Sequence, residues 1–171
     1  MALLAGLEER GGTLWSVDID PACAEVFAGH PQWRFVLADS RDESAVVDAG
    51  LPAKVDVLFI DTIHTFEQVR DELALWGDRV GPGGVILFHD TDPFPDIRRA
   101  ISAWCGQRRI PYEFVGRSNG LGVAYPGGGS GLGTLLALRR GLRLAGRDLR
   151  RGLQLARRAA HRARNIVLSL R

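Results

Sequence analysis

Residues 55–90 read VDVLFIDTIHTFEQVRDELALWGDRVGPGGVILFHD. Two near-continuous apolar runs, 55–60 and 85–88, are separated by a helix-compatible stretch and by Gly81-Pro82-Gly83-Gly84. Strands buried on both faces read as such runs, whereas strands with one wet face alternate. Joined by a helix, the two runs form a βαβ unit. Its crossover is expected to be right-handed, so the strands are parallel and their carboxyl ends share one edge of the sheet. Ligands of open α/β sheets bind at that edge. The first run stops at Asp61 and the second at His89-Asp90. Asp61, His64, His89 and Asp90 are therefore expected to converge, despite their separation in sequence.

Outward from this unit the alternation continues. Residues 2–10 read as a short helix stopped by Gly11-Gly12, and residues 13–17 as a strand ending in Asp18-Ile19-Asp20-Pro21. Pro21 opens a helix expected to reach Phe27. A strand over 33–38 ends at Asp39-Ser40, and a brief helix follows over 43–49. Beyond Asp92-Pro93, residues 96–105 place Ile97, Ile101 and Trp104 on one helical face. Short apolar runs at 112–115 and 121–125 flank Arg117-Ser118-Asn119-Gly120 and suggest a hairpin. The fold expected is Rossmann-like α/β: a doubly wound mixed sheet with a terminal antiparallel strand pair, followed by a long basic helix. A nicotinamide-binding GxGxxG should sit between a first strand and its helix; residues 81–84 precede a strand and read as an ordinary turn.

Composition agrees with one soluble domain. Of 171 residues, 46% are hydrophobic and 25% charged, which excludes a disordered chain. No apolar stretch approaches the ~20 residues that span a bilayer, and no secretory signal is visible. Cys23 and Cys105 form no CxxC pair and read as reduced thiols of a cytoplasmic protein. Charge divides the chain: residues 1–131 carry 11 Lys and Arg against 19 acids, residues 132–171 carry 11 Arg against Asp148 alone. Three parts are expected: an α/β domain over 1–126, a glycine-rich joint over 127–131 and a basic amphipathic helix over 132–171.

The segments VDIDP (17–21), ADS (38–40), IDTIHTFEQV (60–69), GPGGVILFHD (81–90) and GRSNGLGVAY (116–125) together resemble the class I S-adenosylmethionine-dependent methyltransferases. The similarity is greatest to the metal-assisted O-methyltransferase branch, which includes catechol and macrocin O-methyltransferases. The resemblance implies that Asp18 grips the ribose hydroxyls of S-adenosylmethionine and that Asp39 and Ser40 contact its adenine. The plain alternative is that Asp18 and Asp20 are a turn residue and a helix cap, and that Asp39-Ser40 is only a turn. Asp61 and Asp90 match positions that bind a divalent cation, with His64 in the place of the general base. Carboxylate oxygens suit Mg2+, and imidazole takes a hydroxyl proton near neutral pH. His89 stands where relatives carry an acid. An Asp-His-Asp set is softer than three oxygens and shifts preference toward Mn2+, Fe2+ or Zn2+; otherwise His89 only packs. His64 also reads as a helix-start residue bonded to a carboxylate.

The same family begins with a strand and a glycine-rich turn, and residues 2–10 resemble the helix that follows them. The first strand is thus expected to be missing from the middle of the sheet, between residues 13–17 and 55–60. Three outcomes follow: the flanking strands close up, another segment or chain fills the slot, or the chain folds poorly. In the tail, Leu135, Leu138, Leu142, Ala145 and Leu149 begin an apolar stripe that recurs at spacings of three and four to Leu170. It fits a homodimer, an anionic membrane surface or a helix packed on its own domain. Nucleic acid ranks last, since no aromatic residue interleaves the arginines. Two classes of function follow. One is O-methyl transfer to a hydroxyl of a small metabolite or sugar. The other is a non-catalytic α/β module whose basic tail binds a partner or a membrane surface.

Overall fold

The computed structural model describes residue 7 and residues 11–115, 119–126 and 165–170; for the last segment only the backbone is described. A seven-stranded sheet runs through it. Its strands are β1 (Thr13–Asp18), β2 (Trp33–Leu37), β3 (Val55–Asp61), β4 (Val80–His89), β5 (Tyr112–Val115), β6 (Leu121–Ala124) and β7 (Asn165–Leu170), in the order β2-β1-β7-β3-β4-β6-β5. β1 is parallel to β2 and β3 to β4, whereas β5 and β6 form the expected antiparallel pair at the far edge. Among the described residues three α-helices accompany the sheet: α1 (Glu43–Asp48), α2 (Phe66–Trp76) and α3 (Pro95–Arg108).

The helices start and stop where the residues dictate. Thr65 caps α2, its side chain accepting from the Gln68 amide, and Pro95 opens α3. α3 ends at Arg109, which takes a left-handed conformation. The helix read from Pro21 to Phe27 is shorter than expected, a 3-10 turn over Pro21–Glu25 with no buried residue. Without an apolar face to bury, there is nothing to extend it.

The main core lies on one face of the sheet. Leu58 and Ile60 of β3 and Ile86 and Phe88 of β4 meet Val69, Leu73 and Trp76 of α2 and Ile97, Ile101 and Trp104 of α3. Each such side chain contributes ~1.5–3 kcal/mol by leaving water. Gly77, just past α2, admits the Trp104 ring: a Cβ there would lie 2.3 Å from its Cζ2. Val57 and Leu87 point to the opposite face, with Val85, Val123 and Tyr125. The turn read at residues 81–84 lies inside β4 as an irregularity. Val55 faces Val80, but Val57 already faces Val85, so the glycines bulge out of the ladder.

The centre of the sheet corrects the reading of the tail. Residues 165–170 are not the end of a helix; they form β7, antiparallel to both β1 and β3. Thr13 to Val17 pair with Leu170 to Ile166 on one side, and Val57 to Asp61 with Ser169 to Asn165 on the other. The physical reason is local and global at once. Ile166, Val167 and Leu168 interrupt the arginine pattern with an apolar, partly β-branched run. β1 and β3 meanwhile present facing rows of backbone donors and acceptors that cost ~1–3 kcal/mol each if buried unpaired. Another segment of the chain therefore fills the slot expected between these strands. The rest of the expected basic helix, with the apolar stripe at 132–164, and the joint at 127–131 lie outside the described residues, as do the expectations of dimer or membrane contact built on them. Among the described residues no helix is long and apolar enough to cross a membrane.

Deleting residues 165–171 should therefore act far beyond the loss of a terminal segment. In urea unfolding the shortened chain is expected to lose its cooperative transition or to melt at much lower denaturant, because domain stability is only ~5–15 kcal/mol. An unchanged midpoint would show that β7 does not hold the sheet.

Candidate functional site

The carboxyl edge of β3 and β4 carries the site. Ile60 lies opposite Phe88 in the parallel ladder, so Asp61 and His89 leave the two strands side by side. Asp90 follows with φ 55, a left-handed conformation uncommon outside glycine, which Asp tolerates better than most residues. Two attachments hold this turn. Asn119 donates to Asp90 Oδ1 at 2.7 Å, and the Asp92 amide donates to the Asn119 carbonyl at 2.9 Å. Gly120 makes that approach feasible: its φ is +74, and a Cβ would lie 2.5 Å from Asp92 Cγ. From α3, Arg98 donates to the Thr91 carbonyl at 2.7 Å and pairs with Asp92.

The four expected residues converge. His64 Nε2 lies 3.2 Å from Asp90 Oδ2 and 3.9 Å from Asp61 Oδ1. His89 Nδ1 lies 2.9 Å from Asp90 Oδ1 and 3.5 Å from Asp61 Oδ1. Both nitrogens are shut off from solvent, yet neither is aligned for a hydrogen bond. Beside them is a cavity of about 10 Å3, lined by Asp61, Thr62, His64, Val69 and His89 among others. It holds about one water-sized occupant. One ligand atom each from Asp61, His64 and Asp90 lies within 4.8 Å of the others. Oxygen ligands ~2.1 Å from a shared Mg2+ sit no farther apart than ~4–5 Å. The residues present thus fit a divalent cation, with His89 at its border. The Phe94 ring stacks on His64 at 4.1 Å and 7°, fixing the imidazole plane.

The interaction with Asp61 raises the pKa of His89, outweighing the burial that lowers it, and the Asp90 charge adds to the rise. Because the folded value lies above the unfolded one, His89 contributes stability that is fully present below its unfolded pKa of ~6.5 and is lost as pH rises through the folded value.

Farther along the edge, Asp18 ends β1 opposite Leu37, with β7 between it and Asp61. Asp18 is 1% exposed. Its Oδ1 accepts from the Asp20 amide at 2.8 Å and its Oδ2 from Cys23 Sγ at 3.3 Å, while burial raises its pKa. Asp20 caps the 3-10 turn, accepting from the Ala22 amide at 2.9 Å. Asp39 forms a two-point ion pair with Arg41, at 3.1 and 2.7 Å. Ser40 is turned inward to a buried carboxylate, Glu72, at 2.6 Å. Sequence reasoning missed Glu72, Phe94 and the Asn119 bond. A signal for Glu72 was present, since it is an acid on the Val69–Trp76 apolar face of α2.

The fold is an α/β one with a mixed sheet, and acids and imidazoles gather at the carboxyl edge, where open α/β sheets bind their ligands. The methyltransferase-domain family matches residues 1–91, more than half of the chain, and the protein belongs to that family. Among solved structures it is similar to the O-methyltransferase NovP, at 19% identity over 56% of this chain and 38% of that one, with a TM-score of 0.46. It is also similar to CalS11, a TDP-rhamnose 3'-O-methyltransferase of calicheamicin biosynthesis, at 15% identity over 61% of this chain and 46% of that one, with a TM-score of 0.46. A protein from Corynebacterium glutamicum matches at 13% identity over 71% of this chain and 53% of that one, with a TM-score of 0.43. The chain thus spans between 38% and 53% of the length of these structures. No curated protein matches it.

Asp61→Asn should lower the His89 titration midpoint toward the ordinary imidazole value, as followed by NMR of the ring protons in metal-free buffer. A midpoint unmoved by the substitution would remove Asp61 as the cause.

Proposed function

We propose that the chain carries the acceptor-activating half of an S-adenosylmethionine-dependent O-methyltransferase. Its acceptor would be a hydroxyl of a small metabolite or sugar. The observation that carries this reading is the convergence of Asp61, His64, His89 and Asp90 beside a water-sized cavity, in a chain of the methyltransferase family. Asp61 and Asp90 would hold a divalent cation, with His89 at its border, and its chemistry is to polarise the acceptor oxygen and lower its pKa. His64 would take the acceptor proton, its ring held by Phe94 and its Nε2 beside the Asp90 carboxylate, which stabilises the imidazolium formed. S-adenosylmethionine, when bound, would supply the methyl group to the acceptor oxygen freed by His64, leaving a methyl ether, S-adenosylhomocysteine and a proton. Asp18 would anchor the ribose and Asp39 would face the adenine, while Ser40, expected beside it, is turned inward to Glu72. For this the Asp18 carboxylate has to exchange its bond from Cys23 for the ribose hydroxyls.

A second reading is favoured by β7. Its antiparallel course brings chain into the carboxyl edge between Asp18 and Asp61, where a glycine-rich turn and helix N-terminus would otherwise meet the cofactor. In that reading the chain as it stands is a non-catalytic α/β module, without tight cofactor binding. Calorimetric titration of S-adenosylhomocysteine separates the two. The first reading expects binding that weakens at least ~10-fold in Asp18→Ala. It also expects His64→Ala to reduce methyl transfer far more than affinity. Absence of binding to the folded wild-type chain would favour the module. Should His64→Ala instead abolish divalent-metal binding, His64 is a ligand rather than the base.

A further inference from the structure

We propose that Glu72 is a positioning residue that locks the loop after β2 to the loop after β3, so that the two halves of the candidate site move as one. Glu72 projects from α2 and is fully buried. Its Oε1 accepts from Ser40 Oγ at 2.6 Å and from Gln68 Nε2 at 2.6 Å; its Oε2 accepts from Thr62 Oγ1 at 2.8 Å. Ser40, Thr62 and Gln68 are themselves buried, so this is a closed polar network inside the core. Ser40 follows Asp39 on the β2 loop, and Thr62 lies between Asp61 and His64 on the β3 loop. No hydrogen bond links Ser40 to Thr62 directly; the carboxylate and Gln68 stand between them.

An acid in an apolar interior is costly unless its lone pairs are met. Here burial raises the Glu72 pKa, and the donors from Ser40, Gln68 and Thr62 oppose that rise. A side chain held by three donors from two loops and its own helix cannot follow one loop without pulling on the other. Ser40 is thereby a link within the scaffold, its hydroxyl already committed to Glu72. The proposal rests on the methyltransferase reading only in naming what the two loops would bind.

The test is hydrogen exchange, followed by mass spectrometry on the metal-free chain, comparing wild type with Ser40→Ala, Ser44→Ala, Glu72→Ala and Glu72→Gln. Ser40→Ala removes the hydroxyl but keeps the bond from Trp76 Nε1 to the Ser40 carbonyl, at 2.7 Å, so the β2 loop stays anchored. The expected result is exchange about fivefold faster or more in residues 61–65, on the other loop. Ser44→Ala, which loses an exposed bond to Asp42 at 2.8 Å, should leave that segment unchanged. Glu72→Ala should loosen both loops and Glu72→Gln should restore them in part. If Glu72→Ala fails to fold, the Ser40→Ala comparison decides. Faster exchange confined to residues 39–42 would overturn the proposal. Mn2+ affinity gives a parallel readout, expected to fall severalfold in Ser40→Ala. A wild-type chain that bound no Mn2+ would count against the metal reading, while the exchange data would still decide the role of Glu72.

Discussion

The parallel register of β3 and β4 is the constraint from which the site follows. With Ile60 set opposite Phe88, the two strands end together. Their last polar residues emerge at one height on one edge, where no side-chain choice could bring them if the register slipped by a residue. The inward residues Leu58, Ile60, Ile86 and Phe88 hold that register by packing against α2 and α3. The core is thus what places Asp61 next to His89. The left-handed turn at Asp90, tied back by Asn119, then swings the second carboxylate beside the first.

This part of the molecule was legible in the sequence because its signals are local. Apolar runs that stop at acids mark strands whose ends face a ligand, and the helix between two such runs sets their direction. What stayed hidden depends on partners distant in the chain. Glu72 reads as one more helical acid until Ser40 and Thr62 are seen around it. Asp18 stands at the expected strand end, but its enclosure by the Asp20 amide and Cys23 depends on a 3-10 turn that the proline alone did not specify. Residues 165–170 are the sharpest case. A spacing of three and four fits Val167 and Leu170 to a helix as well as an apolar run fits them to a strand, and a segment this short carries no period that decides. The decision comes from the unpaired edges of β1 and β3, to which no residue within the segment testifies.

β7 also gives the molecule its internal tension. It completes the sheet, yet it reaches the carboxyl edge between the acid on β1 and the acids on β3 and β4. The half of the edge formed by β3 and β4 is held by Asn119, Phe94 and the Glu72 network. The half at Asp18 is closed over by its own loop. The cluster at the ends of β3 and β4 and the enclosed carboxylate at the end of β1 are thus held by separate sets of bonds.

The role proposed for Asp61 and Asp90, brought together by this register, is to hold a divalent cation. The most direct measurement is a Mn2+ titration followed by electron paramagnetic resonance, on the wild-type chain and on Asp61→Asn with Asp90→Asn. The account predicts one tight Mn2+ per wild-type chain. In the double variant affinity should fall at least ~10-fold with the urea midpoint retained, because two of the ligand oxygens lose their charge. Equal Mn2+ binding by both proteins, or none by either, would contradict it.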